Sequence, residues 1–156
     1  MSEEHLQALP TQGRLAGIDY GTVRIGIAIC DPMQIVASPF ENYQRGDEAA
    51  DRARFLRLVE EEDITGFVVG LPLHTDGEES VKSLEAKEFG KWLTELTSLP
   101  VAFQDERFSS KEASRHLLAA KLTKKQRKQR LDMLAAQIIL AHYLEGSRTQ
   151  EFGGLN

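Results

Sequence analysis

Three carboxylates in this chain of 156 residues stand where a charge has to be explained. Asp19 closes the otherwise hydrophobic run LAGID and is followed by Gly21, Thr22 and Gly26. Glu106 sits in DERFSS, between a strand-like run and a helix start. Asp132, in RLDMLAAQIIL, shares a helical face with Ala135, Ala136, Ile139 and Tyr143, at offsets of 3, 4, 7 and 11 residues. Carboxylates brought within a few ångströms repel one another, so without a cation at least one pKa rises. Hard oxygen donors with no histidine or cysteine beside them favour Mg²⁺ or Mn²⁺ over zinc. Two such ions, ~3.5–4 Å apart, can activate a water and stabilise the leaving oxygen in phosphodiester cleavage. Each acid also has a plainer reading. Asp19 can accept turn N–H groups from Gly21 or Thr22, and Glu106 can pair with Arg107 or a lysine. Asp132 can cap a helix that starts one residue later.

The elements that must position these acids follow from hydrophobic spacing. Residues 14–20 and 25–30 read as two strands joined by a short hairpin, and 35–40 as a weaker third strand broken by Pro39. Residues 47–62 have helical spacing with Ala50, Phe55, Leu58 and Val59 inward. A buried strand at 65–71 precedes Pro72. Helix 78–96 carries Val81, Leu84, Phe89, Trp92 and Leu96 as its stripe, and a fifth strand covers 100–104. Ser109 and Glu112 match a capping box opening a helix to about residue 120, and 131–144 forms the last helix, with Gly146 as its stop. The order β-β-β-α-β-α-β-α-α predicts an α/β fold, a mixed sheet with helices on both faces. Function in such folds gathers at the carboxyl ends of parallel strands. Asp19, the Gly70-Leu71-Pro72 turn and Asp105-Glu106 stand at three such ends. One domain, 14–146, is expected between a flexible lead-in, 1–13, and a flexible tail, 147–156.

Bulk properties narrow the partners. No run approaches the ~18 apolar residues of a membrane span, and the first residues lack the basic-then-apolar order of a signal peptide. Cys30 is the one cysteine, which excludes an internal disulfide and a multi-cysteine zinc site and suits a cytoplasmic location. The net charge of −5 offers no global attraction to nucleic acid. Residues 121–130, KLTKKQRKQR, nevertheless carry Lys121, Lys124, Lys125, Arg127, Lys128 and Arg130 without an acid. Such an arm points to a phosphate backbone, or is a solvated loop or helix start. His74 falls in a loop with possible access to substrate, and His142 reads as a helix-surface or partly packed residue.

The blocks IDYGTVRIGIAICDP, VVGLPLHTDGEES, FQDERFSSKEA and RLDMLAAQIIL, in that order, resemble the YqgF/RuvX family over about residues 15–144. Its members are described as pre-16S ribosomal RNA nucleases and, in older usage, as Holliday-junction resolvases. The resemblance implies an RNase H-like fold, a five-stranded mixed sheet flanked by helices. It also implies a hydrolase, a metal-dependent endonuclease maturing the 5′ end of pre-16S rRNA. Asp19, Glu106 and Asp132 would be its catalytic and metal-binding triad, holding Mg²⁺ or Mn²⁺. Where the family continues VDS this chain has Leu131, Asp132 and Met133, so the acid is kept and a polar neighbour is lost. Arg107, Lys124, Lys125, Arg127, Lys128 and Arg130 are expected to contact structured RNA, with the ribosome as a further partner. Arg107 could equally pair with Asp105 or Glu106, and Ser109 could do no more than cap its helix. Branched DNA is the alternative substrate; junction resolution needs two symmetry-related sites, and the sequence does not separate monomer from homodimer. A nucleotide- or RNA-binding module is the other alternative. Asp19-Gly21-Thr22 also resembles the first phosphate loop of actin-like and sugar-kinase ATPases, although no G-x-x-x-x-G-K-[ST] occurs.

Overall fold

The computed structural model describes residues 8–72, 80–106 and 123–153. The predicted helix opened by Ser109 and Glu112, together with His74 and Arg107, lies outside them. In chain order the elements are β1 (Arg14–Asp19), β2 (Arg24–Cys30), β3 (Ala37–Gln44), α1 (Glu48–Glu62), β4 (Ile64–Leu71), α2 (Val81–Thr97), β5 (Val101–Asp105) and α3 (Lys124–Gly153). They form the expected five-stranded mixed sheet, in the order β3-β2-β1-β4-β5. β2 runs antiparallel to β1 and β3, whereas β4 is parallel to β1 and β5.

Strand alternation divides the side chains between two cores. Ala16, Ile18, Ile25, Ile27, Phe67 and Val69 pack with Phe55 and Leu58 of α1 and Phe89 and Leu93 of α2. Leu15, Ala28, Cys30 and Val68 pack on the other side with Ala136, Ile139, Leu140 and Leu144 of α3. Asp19, an even number of residues from Leu15, therefore faces α3. On that face the helix nearly touches the strand backbone. A Cβ at Gly17 would lie 2.7 Å from the Leu140 Cβ, and one at Gly26 2.0 Å from the Asp132 carbonyl oxygen.

Several boundaries differ from the sequence reading. The third strand starts at Ala37, because the Asp31 carboxylate accepts the N–H groups of Met33, Ile35 and Val36 and holds them in a turn. Pro39 is tolerated because β3 is an edge strand, and the register shifts between Ile27 and Ala28 beside it. On α2 the buried residues are Ser83, Ala86, Phe89, Gly90 and Leu93, while Val81 and Leu84 are exposed. Small side chains let this helix settle on β5, where a Cβ at Gly90 would meet the Phe103 ring at 2.6 Å. On α1 the charged Asp51, not Ala50, points inward. α3 begins at Lys124, seven residues earlier than expected, and its first turn is closed by reciprocal bonds between Thr123 and Gln126. It also continues through Gly146 to Gly153. An isolated glycine costs a helix about 1 kcal/mol and ends it only where a left-handed cap forms.

Ahead of β1, Leu9 is buried in the α3-side core, and the Gln34 amide donates to the carbonyls of Pro10 and Gly13.

Candidate active site

Asp19 is the last residue of β1 and pairs directly with Gly26 of β2. Since Gly26 has no side chain, the Asp132 backbone rests on it, and the two carboxylates come to the same cavity of about 370 Å³. Arg24, Pro72 and Lys82 also line it. The helix-cap reading of Asp132 fails, because α3 has already run two turns when it reaches that residue. Gly21 serves the hairpin itself: a Cβ there would lie 2.3 Å from the Arg24 carbonyl oxygen. Gly26 serves the helix approach instead.

The electrostatics of this pair are strained. Burial, and secondarily the Asp132 charge, push the Asp19 carboxyl up to about 7, with Lys82 pulling the other way. Arg24 Nε stands 3.5 Å from Asp132 Oδ2. A carboxyl that loses its proton only near neutrality, beside a second carboxylate, is a place where a cation gains much.

Glu106 has different company. It is buried just after β5, and its N–H donates to the Leu71 carbonyl at 3.0 Å. His142 Nδ1 contacts its two carboxylate oxygens at 2.9 and 3.1 Å. β4 separates β1 from β5, so the ends of those strands stand about 10 Å apart. Asp132 and His142, ten residues apart on α3, are separated by about 15 Å of helix. Asp19 and Asp132 are thus brought together, while Glu106 is engaged by the far end of the same helix. Among the described residues no group of three or more His, Cys, Asp or Glu side chains is placed to hold a metal ion. His142 is half-exposed with its ring against Glu106, a contact whose sequence signal was only its place three residues after the inward Ile139.

Of the basic residues, Lys124 and Arg130 are exposed on the first two turns of α3. Lys125, Arg127 and Lys128 belong to the same turns, but their side chains lie outside the described residues.

Sequence reading missed a brace behind the site. Buried Asp51 accepts from Arg45 Nε at 3.1 Å, from the Tyr43 hydroxyl at 2.8 Å and from the Gly46 N–H at 3.1 Å. Arg45 in turn donates to the Tyr20 hydroxyl and the Gly21 carbonyl, and its guanidinium stacks on the Tyr20 ring. Residues 20 and 21 directly follow Asp19, so this network pins the loop that carries it. Asp51→Ala leaves a partly buried guanidinium without its carboxylate and is expected to lower stability by about 3 kcal/mol. Urea denaturation reads this directly; a loss below about 1 kcal/mol would show that the network contributes little.

Comparisons with known proteins bear on the family and the fold. Residues 13–146 match the family model described as "RuvX: Holliday junction resolvase". A relative from Rhodopirellula baltica named "Putative pre-16S rRNA nuclease" is 48% identical, covering 89% of this chain and 80% of its own. Relatives of the same name from Syntrophomonas wolfei and Zymomonas mobilis are 43% and 42% identical, covering 85% and 86% of this chain and 94% and 82% of their own. Among solved structures, the fowlpox virus resolvase bound to Holliday junction DNA superposes with a TM-score of 0.55 at 11% identity, covering 85% of this chain and 97% of its own. RuvC from T. thermophilus, in complex with a Holliday junction substrate, gives 0.52 at 17%, covering 86% and 95%. At these identities the structures establish the fold, which is RNase H-like. No helix among the described residues is long and apolar enough to cross a membrane.

Proposed function

The chain belongs to the RuvX family, and from that premise we propose that it is a divalent-metal-dependent endonuclease hydrolysing phosphodiesters in ribosomal RNA precursors, at the 5′ end of pre-16S rRNA. The observation that carries the reading is the Asp19–Asp132 pair, one carboxyl held near neutrality beside another at the end of a parallel strand. The donor set fits Mg²⁺ or Mn²⁺: hard oxygens from two carboxylates, in a cavity with room for the waters such ions retain. Asp19 and Asp132 would hold the ion, and Glu106, supported by its DER motif, is the third catalytic acid of this reading. When bound, the metal supplies a lowered pKa for an attacking water and charge stabilisation at the phosphate. The chain's own groups then have definite tasks. Asp19 must give up its proton to the solvent, Arg24 pairs with Asp132 in the metal-free protein, and the Arg45 brace fixes the loop after Asp19.

The arm at the start of α3 supports a nucleic-acid substrate. Its first turn carries no acid, although a helix N-terminus favours negative charge. A phosphate backbone there relieves that conflict, so Lys124, Lys125, Arg127, Lys128 and Arg130, with Arg107, are proposed to follow the RNA. The protein is proposed to act in the cytoplasm, on or near the ribosome.

The test is cleavage of an end-labelled pre-16S 5′ fragment with Mg²⁺, with EDTA, and with a four-way DNA junction as competitor. Metal-dependent cutting of the RNA is expected, and replacing Lys124, Arg127 and Lys128 by Gln should reduce the salt slope of RNA binding by about 2–3. Cutting that persists in EDTA would remove the metal from the mechanism. Preferential cutting of the junction would move the substrate to DNA.

A further inference from the structure

We propose that Arg24 and Lys82 form a phosphate seat inside the Asp19–Asp132 cavity, holding the phosphodiester that is to be cut. The proposal rests on the nuclease reading and specifies which of the chain's cations meet the substrate at the cleavage point, in addition to the arm at the start of α3.

A pair of carboxylates attracts a metal ion but repels a phosphodiester. A cavity built on such a pair alone would therefore disfavour the anion it has to process. This cavity is not built that way, because two cations from two different elements, Arg24 of β2 and Lys82 of α2, line it together with both acids. Arg24 reaches Asp132 through Nε alone, at 3.5 Å, and its two terminal nitrogens have no partner among the described residues. A guanidinium fork of this kind matches two phosphate oxygens. Lys82 is exposed in the first turn of α2 and makes no ion pair among the described residues, although Glu85 stands one turn further on and lines the same cavity. Its charge is nonetheless felt at the Asp19 carboxyl.

The backbone fixes where Lys82 stands. Ser80 caps α2 through a reciprocal bond with Ser83, and its hydroxyl donates to the carbonyl of Pro72, at the end of β4 and on the cavity wall. Arg24 is fixed by its strand, two residues before the Gly26 on which Asp132 rests. Arg24 therefore has two calls on its charge, Asp132 in the resting protein and a phosphate once a metal ion has neutralised Asp132. That exchange predicts effects of opposite sign for one substitution.

Arg24→Gln should leave Mn²⁺ binding unchanged or tighter, seen as an equal or larger Mn²⁺-induced rise in melting temperature. It should also raise the KM for RNA about tenfold. Lys82→Gln should raise KM by a similar factor with little change in kcat, and each variant should lower the salt slope of RNA binding by about 1. Arg24→Lys should recover part of the loss, which a merely structural role would not do. RNA affinity is measured separately from cleavage, by filter binding with Ca²⁺ in place of Mg²⁺, a hard cation that keeps Asp132 neutralised, with urea midpoints confirming that the variants are folded. Wild-type affinity and salt slope in both variants would overturn the seat even if the protein is an active nuclease. A wild-type protein that cuts no RNA would overturn the nuclease reading, while the binding data would still decide the seat.

Discussion

Asp19→Asn should reduce metal-dependent cleavage by about 10³-fold or more while making the metal-free protein more stable at pH 8. Loss of activity follows from removing a charged oxygen donor from the pair that would hold the ion. The gain in stability follows from the raised pKa of Asp19. In the folded protein this carboxyl keeps its proton up to about 7, against an ordinary value of 3.8. The folded state therefore binds a proton that the unfolded chain releases, and the stability linked to Asp19 is complete below about pH 4. It is lost as pH rises through 7, where the carboxylate must ionise in a half-buried site beside Asp132. Asparagine never ionises. The variant should match wild type near pH 4 and exceed it by on the order of 2–4 kcal/mol at pH 8. Adding Mg²⁺ should reverse the order at pH 8, because the ion stabilises only the state that binds it. Urea titrations at pH 4.5, 6 and 8, with and without Mg²⁺, measure all of this. Parallel pH profiles for the two proteins would show that Asp19 is not held in its neutral form.

Gly26→Ala carries the second large expected effect. The added Cβ would lie 2.0 Å from the carbonyl oxygen of Asp132 and 2.4 Å from its carbonyl carbon. These are backbone atoms, so no side chain can turn aside and α3 itself must move. We expect a loss of about 3 kcal/mol, at the upper end of overpacking costs. Cleavage should fall about 100-fold, because a displacement near 1 Å takes Asp132 away from Asp19. Gly70→Ala is the informative control. Its Cβ would meet the Cδ1 of Ile139 at 2.4 Å, the far end of a side chain that can change rotamer. It should cost less in both readouts. Equal stability and full activity for Gly26→Ala would mean that the helix does not rest on that glycine.

Asp19 and Asp132 were legible because local rules place them, one at the end of an apolar strand and the other on a helical face lined by alanines. The use of Gly26 was not. Alternation tells which face a residue belongs to, but not that a helix 106 positions later lays its backbone there. Asp51 was passed over for Ala50 because periodicity ranks a charge as outward, and its partners Arg45 and Tyr43 come from the preceding strand and turn. The stripe on α2 failed in its first turn, where Val81 and Leu84 are exposed while Ser83 and Ala86 face inward. Glu106 and His142 lie 36 residues apart, and Arg24 and Asp132 lie 108 apart. Such pairings are set by how α3 crosses the sheet, which no local pattern encodes. The fold class came through the order of strands and helices and through the family motifs, whereas the partners of each acid required the packed molecule.

Asp19 and Asp132 together are expected to hold the catalytic ion. Crystals soaked in Mn²⁺ near pH 8 and measured for anomalous scattering test it most directly. A peak between the Asp19 and Asp132 carboxylates is expected, with the Arg24 side chain turned away from Asp132. A peak between Glu106 and His142, with none beside Asp19 and the Arg24–Asp132 contact intact, would contradict it.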